Sequence, residues 1–343
     1  MRKLLNTLYV TSPDSYLARD GLNVVVKTGE DEKFRIPVHN IEGIITFGYT
    51  GASPGLLALC TDNNVTVSFL TEHGKFLARV SGKVRGNVLL RRQQYRFADE
   101  IDKALSISRT FIAAKIANCR NVLQRAIRDH GENGLVNPLG SASETLRNRQ
   151  RQALKAVTAQ QLRGIEGDAA NEYFGAFNHL IVAQQEDFRF NRRSRRPPLD
   201  PVNAMLSFAY TLLAHEVQSA LECTGLDPYV GFLHTDRPGR PSLALDLMEE
   251  LRPYLADRLV LSLINRRQVN IKGFKKQSGF GIYMSDDTRK ELLTSWQKRK
   301  SDSIYHPWLD EDIKLGLLPH AQALLLSRFI RGDLDNYPAF VMK

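Results

Sequence analysis

Short apolar runs separated by turn residues dominate the start of the chain. NTLYVT, SYLARDGLNVVVK, FRIPVHN, GIITFG, VTVSFL and KFLARV are β-branched or aromatic segments of strand length, and Asp20-Gly21 marks a tight hairpin within the second. SPGLLALC, Ser53 to Cys60, interrupts them with proline where a first helical turn tolerates it, and predicts a short helix crossing to VTVSFL. Residues 1–85 therefore read as a small all-β domain, a sandwich or a folded-over sheet.

From Gly86 the period lengthens. Between Asp99 and Asp129, Ile101, Leu105, Phe111, Ile112, Ile116, Val122, Leu123 and Ile127 recur at mostly three- and four-residue steps, which predicts one long amphipathic helix. GENGLVNPLG, Gly131 to Gly140, predicts a break. Helical spacing resumes over 143–157, 169–184, 202–222, 243–251 and 313–331. RRPPLDP, Arg195 to Pro201, must end one helix before the next begins, because proline cannot continue a helix from inside it. The expected class is α+β and multi-domain, with a mainly helical domain over residues 86–343.

Composition narrows the function without naming it. The 343 residues are 43% hydrophobic and 24% charged, an ordinary globular balance, and no apolar stretch is long enough to span a bilayer. The amino-terminal segment lacks the apolar run and small-residue cleavage site of a signal peptide, so a cytoplasmic location is expected. Cys60, Cys119 and Cys223 form no CxxC pair and read as reduced core thiols. A net charge of +10 favours a polyanionic partner, nucleic acid first.

Candidate chemistry centres on GFLHTDRPGRPSLALDLMEE. His234 precedes Asp246 by 12 residues and Glu249 by 15, and TDRPGRP between them turns the chain so that the imidazole faces the carboxylates. On a helix, Asp246 and Glu249 project from one face. Read locally, they also fit a solvated face beside a hydrogen-bonded histidine. A second segment, RGIEGDAANEYFGAF, sets Glu166 between Gly164 and Gly167, small neighbours that allow close approach; a helix N-terminus favoured by Glu166 and Asp168 explains it equally.

Taken together, EGDAANEYF, GFLH and PSLALDLMEELRP resemble the signature blocks of the CRISPR adaptation integrases, the metal-dependent DNA endonuclease/integrases that insert spacers into CRISPR arrays. The resemblance extends to NTLYV, FGYTGASPGLL and RRPPLDPVNAMLSFAYTLL, and so to essentially the whole chain. It implies catalytic residues at Glu166, His234, Asp246 and Glu249, with Glu166, His234 and Glu249 as ligands of Mg²⁺ or Mn²⁺ and Asp246 beside them. It departs from much of the family at Glu249, where aspartate is frequent. Asp246 is left with open roles: orienting a ligand or taking a proton, or equally hydrogen-bonding His234. Tyr210, in LSFAYTLL, matches a tyrosine the family places near its site and reads otherwise as a core aromatic. A mixed oxygen and nitrogen set without cysteine suits Mg²⁺ or Mn²⁺ rather than structural zinc. The resemblance further implies a type I system, a homodimer formed through the β domain, a small dimeric partner protein, and binding to prespacer DNA and the CRISPR repeat.

Arginines supply the DNA-facing charge. Arg189, Arg192, Arg193, Arg195 and Arg196 crowd into FRFNRRSRRPP with Phe188 and Phe190 as anchors; so dense a cluster of one sign favours a phosphate nearby, the alternative being a solvated loop. Arg237, Arg240, Lys272, Lys275 and Lys276 are further candidates, followed by Arg91, Arg92 and Arg96 in LLRRQQYRF; Lys272 to Gly281 reads equally as an exposed loop. A metal nuclease acting on branched DNA and a non-catalytic nucleic-acid scaffold remain the alternatives to an integrase.

Overall fold

The computed structural model of the chain describes residues 7–12, 14–48, 50–71, 76–82, 88–130, 136–277 and 281–342. It divides into two compact units, Met1–Arg85 with Met284–Asp302, and Gly86–Tyr283 with Ser303–Lys343. The fold is α+β, a β-rich amino-terminal region followed by a mainly helical one.

The first unit holds β1 (Thr7–Val10), β2 (Ser15–Asp20), β3 (Asn23–Thr28), β4 (Asp31–Pro37), β5 (Gly43–Phe47), β6 (Gly51–Ala52), α1 (Pro54–Asp62), β7 (Thr66–Leu70) and β8 (Phe76–Val80). They form two four-stranded sheets, in the orders β1-β5-β7-β8 and β4-β3-β2-β6. The hairpin expected at Asp20-Gly21 joins β2 to β3, with Gly21 at φ +58°. Strands β1, β5 and β7 run parallel, which demands crossovers, and α1 is the one between β5 and β7. Ser53 caps α1 by accepting from Leu56 N, Pro54 follows, and Leu56, Leu59 and Cys60 drop into a core with Val10, Leu17, Val24, Ile44 and Val67.

The second unit begins with α2 (Val88–Asp99) and, after Glu100, α3 (Ile101–His130), the long helix expected between about Asp99 and Asp129. Next come α4 (Val136–Leu154), α5 (Ala159–Ala176), α6 (Pro201–Thr224), α7 (Ser242–Met248), a π-helical turn at Pro253–Asp257, and α8 (Arg258–Asn265). Of the expected break at 131–140, residues 131–135 lie outside the described residues, and the rest is already α4: Gly140 is carried inside a helix held by Leu139, Ala142 and Leu146 in the core. Helix α5 starts ten residues before the expected Ala169, because Thr158 caps it by accepting from Gln161 N. Asp200 caps α6 in the same way, Pro201 stands at its first position, and Gly225 ends it at φ +86°.

The chain continues through β9 (Phe274–Gln277) and β10 (Gly281–Met284), a two-stranded ribbon, to α9 (Asp286–Lys300), then β11 (Ser303–His306), β12 (Glu311–Lys314) and α10 (Leu318–Arg331). Helix α9 belongs to the first unit, where Arg289 stacks on Phe47 and Lys300 Nζ donates to Thr7 Oγ1 at 3.2 Å, so a single cut after residue 85 misplaces it. The segment from Ile313 opens as a strand, since Ile313 pairs with Ile304 across β12 and β11. Cys60 and Cys119 are buried, whereas Cys223, on the outer side of the last turn of α6, is exposed and no core thiol.

Candidate active site

The histidine is positioned by a loop that both neighbouring helices tie down. After Gly225 the chain runs back over α2, where buried Gln94 donates to Asp227 O (2.8 Å) and Val230 O (2.9 Å) and accepts from Asp227 N (2.9 Å). Leu243 N and Ala244 N, at the start of α7, donate to Pro228 O and close the loop. Asp246, fully buried on α7, then accepts from the backbone N–H groups of Phe232 (2.6 Å), Leu233 (2.9 Å) and His234 (3.0 Å), with His234 Nδ1 at 2.5 Å. Its oxygens are filled by these partners, so the hydrogen bond to His234 is the role the geometry contains. A proton on Nδ1 held by Asp246 leaves Nε2 as the open ring nitrogen, the arrangement that prepares an imidazole to bind a metal. The close approach depends on Gly231: a Cβ there would lie 2.8 Å from Asp246 Oδ2 and 2.8 Å from the Ser242 backbone carbon. Arg163 of α5 ties this loop to its own helix by donating to Leu233 O at 2.7 Å.

Two carboxylates meet on the other side. Glu166 lies in the third turn of α5, well inside the helix, so the macrodipole at the N-terminus does not account for it. Glu249 follows directly on α7 and is 3% exposed. Between them stands Lys115 of α3, 8% exposed, whose ammonium donates to Glu166 Oε1 and lies 2.8 Å from Glu249 Oε2. Arg252 Nη1 reaches Glu249 Oε1 at 2.7 Å. Burial alone would raise the Glu249 carboxyl, but Arg252 and Lys115 outweigh it and hold it at about 2, with His234 contributing in the same direction. Glu249 is therefore a fixed negative charge.

Glu166 and Glu249 thus converge on one cation, and His234 and Asp246 form a pair beside Glu249. The three expected ligands do not meet at a single point: among the described residues no group of three or more His, Cys, Asp or Glu side chains is placed to hold an ion together. Lys115 stands between two of them. The residues nonetheless fit a divalent cation, because Glu249 Oε2 is buried without a hydrogen bond, its contact with Lys115 at 2.8 Å being an ion pair. An oxygen in that condition, a second carboxylate and an open imidazole nitrogen make a hard O/N donor set.

Glu250 points elsewhere. It accepts from Gln322 Nε2 (2.8 Å), Tyr337 Oη (2.6 Å) and Phe340 N (3.2 Å), and burial pushes its carboxyl up to about 8 against those donors. Asn118, one turn beyond Lys115, donates to Glu250 O (2.7 Å) and Phe340 O (2.9 Å). This lock holds α3 against the end of α7 and so keeps Lys115 against Glu249.

Tyr210 of α6 is in the site's wall. Its hydroxyl donates to Asp257 Oδ1 at 2.7 Å, Tyr173 donates to Asp257 Oδ2 at 3.1 Å, and the guanidiniums of Arg193 and Arg252 stack on its ring at 5.2 and 5.0 Å. Burial raises Asp257 to about 6, a rise that the two hydroxyls and both arginines restrain. The π-helical turn that follows Pro253 delivers Asp257 to this position. Lys115, Tyr173, Tyr210, Arg252 and the exposed Arg195 line one cavity.

A family model described as "CRISPR associated protein Cas1" matches residues 8–298. The chain belongs to the Cas1 family. A CRISPR-associated endonuclease Cas1 of Chlorobaculum tepidum is 51% identical over 343 residues, 100% of each chain. Another Cas1 endonuclease, from Rhodospirillum rubrum, is 48% identical over 348 residues, again 100% of each. The solved Cas1 structure from Thermotoga maritima shares the fold at a TM-score of 0.81 and 25% identity, covering 95% of this chain and 97% of that one. A casposase bound to its integration product, 21% identical with a TM-score of 0.81 over 98% of this chain and 94% of that one, shares the Cas1 fold.

The arginine cluster of this Cas1 chain divides. Phe188 and Phe190 are buried as anchors, and Arg189, Arg192, Arg195 and Arg196 are exposed. Arg193 is not available to a phosphate in the way its neighbours are: it donates to Asn203 Oδ1 (2.7 Å), Ser207 Oγ (3.1 Å) and Ser194 O, and is spent on α6 and Tyr210. Arg237 is exposed, while Arg240 braces its own loop through Thr235 O and Ser242 Oγ. Lys272, Lys275 and Lys276 are exposed on the 3₁₀ turn and β9 rather than on a loop; residues 278–280 of the predicted loop lie outside the described residues. Arg92 and Arg96 are exposed along α2, and Arg91 donates to Gly225 O.

Lys115, Arg252, Asp257 and Arg163 are site residues that pattern reading passed over. A signal existed for Lys115: it is the lone charge in FIAAKIANC, on the apolar stripe that buries α3. The RPYLAD segment carried a weaker one, an Arg-Pro that interrupts the helical register.

Proposed function

We propose that this Cas1 chain is a metal-dependent DNA endonuclease and integrase that inserts prespacer DNA into a CRISPR array. The observation that carries the reading is the meeting of Glu166 and Glu249 on one buried positive charge beside the His234–Asp246 pair. Its relatives' designation as CRISPR-associated endonucleases supports the nucleic-acid chemistry. Glu166, Glu249 and Nε2 of His234 would hold Mg²⁺ or Mn²⁺, which when bound supplies Lewis acidity at the scissile phosphodiester and aligns the attacking oxygen. Asp246 fixes the imidazole. Arg195 at the cavity, with Arg192 and Arg196 outside it, would seat the phosphates, a backbone contact that positions DNA without reading its sequence. Spacer acquisition adds a homodimer built through the β-rich unit, a small dimeric partner and a cytoplasmic setting; the described residues contain no helix long and apolar enough to cross a membrane.

Strand transfer tests the reading. With a supercoiled plasmid carrying a CRISPR array, a 3′-hydroxyl prespacer, Mn²⁺ and the small partner, joined products are expected. Glu166→Gln should reduce them by roughly 10³-fold while DNA binding persists. Cleavage of branched DNA without joining would assign a repair-type nuclease instead, and undiminished joining by E166Q would refute the site.

A further inference from the structure

We propose that Lys115 is a resident counter-cation that competes with the divalent ion for Glu166 and Glu249. The inference rests on the metal-site reading above and adds to it a residue that no expectation included. Lys115 is almost fully buried, pairs with both carboxylates at once, and rises from the middle of a long rigid helix. Its partners on that helix explain why it is not simply a surface lysine folded inward: Ile112, Ile116 and Cys119 around it are core residues, and Asn118 pins the helix to the Glu250 backbone.

Charge balance gives the ammonium its purpose. Glu166 and Glu249 contribute two negative charges and Lys115 and Arg252 two positive ones, so these four side chains are neutral together without any metal. Unpaired carboxylates buried in this way would be costly, and the ammonium removes that cost. Arg252 is held by the Glu249 oxygen turned away from Lys115 and stacks on Tyr210, and its planar fork has few alternatives. The lysine is different. Its point charge sits on a flexible stem, and it lies against Glu249 Oε2, the oxygen that lacks a hydrogen bond. A dication seated on these carboxylates repels an ammonium at the same oxygens, so Lys115 must swing away as the metal enters. With Lys115 withdrawn, the two carboxylates, Arg252 and the dication carry one net positive charge, which an arriving DNA phosphate balances. Metal loading is thereby made weak in the free protein.

Calorimetric titration of full-length protein with Mn²⁺ tests this, using wild type, Lys115→Met, Lys115→Gln and Glu166→Gln. K115Q keeps a donor for Glu166 and guards against a K115M protein that does not fold. Both Lys115 variants are expected to bind Mn²⁺ at least about tenfold more tightly than wild type and to melt lower without metal. E166Q should bind more weakly. In the wild type, acetylation of Lys115 by a small anhydride, read by mass spectrometry, should rise when Mn²⁺ is added. Equal or weaker Mn²⁺ binding by K115M and K115Q, with E166Q weakened, overturns the competition and leaves the metal site standing; so does labelling of Lys115 that Mn²⁺ does not change. No Mn²⁺ binding by any of the four proteins overturns the metal site and this inference with it.

Discussion

The two sides of the site are built in different ways. His234 and Asp246 belong to one loop and the helix that follows it, 12 residues apart, and the contacts that fix them are largely backbone N–H groups of the same loop. Glu166 and Glu249 come from α5 and the end of α7 and meet only because α3 carries Lys115 between them. One side is a local motif with its orientation secured by hydrogen bonds, the other a tertiary meeting point secured by charge. A local motif survives small shifts of the helices around it. A charge-held meeting point responds to whatever cation is present, and this contrast is why the imidazole is ready for a metal while the carboxylates are still engaged by an ammonium.

Variants on the local side sharpen the contrast. Asp246→Asn keeps the shape but places an amide where the carboxylate now takes four contacts, so His234 loses its tautomer control. Strand transfer should fall roughly 10- to 100-fold, with DNA affinity unchanged in a gel-shift assay. Gly231→Ala inserts a methyl 2.8 Å from Asp246 Oδ2 and from the Ser242 backbone carbon, which have no flexible end to yield. A loss of about 1–3 kcal/mol in urea unfolding is expected, and a variant as stable as wild type would show that the loop has room for the methyl.

A smaller effect probes the charge-held side. Asp257 has its folded pKa raised to about 6, above its unfolded value, so the native state favours the protonated form. That preference stabilises fully below about pH 4 and is lost as pH rises toward 6. Asp257→Asn cannot titrate but surrenders one of the two tyrosine hydrogen bonds, a cost of about 1 kcal/mol at every pH. Melting curves from pH 4 to 7 should therefore show the gap between wild type and D257N narrowing as pH rises. A constant gap would show that Asp257 is ionised throughout.

This division also explains what could be read from the chain. The β-rich start and the strand-helix-strand step through α1 were visible because Ser53-Pro54 and period-2 alternation act locally. Helix α9 left a local signal, Ser285 with Asp286 and Asp287 at its start and Lys298, Arg299 and Lys300 at its end, yet its mean pattern is so polar that periodicity concealed it. Its return to the first unit is a tertiary fact. The start of α5 was expected near Ala169 because Glu166 and Asp168 read as acids at a helix N-terminus, whereas Leu162, Ile165 and Ala169 bury one face and Thr158 caps it. Glu166, His234 and Glu249 were expected through resemblance to an integrase family. Lys115 was not, since a lysine on a helix is usually solvated, and only the position of α5 and α7 reveals that this one faces two acids.

The central claim is that Glu166, His234 and Glu249 hold one divalent ion. Anomalous diffraction from crystals soaked in Mn²⁺ tests it most directly. One peak is predicted, with oxygens of Glu166 and Glu249 and Nε2 of His234 within about 2.0–2.6 Å and the Lys115 ammonium withdrawn from both carboxylates. A soaked crystal with no peak there, and Lys115 still paired with Glu166 and Glu249, would contradict it.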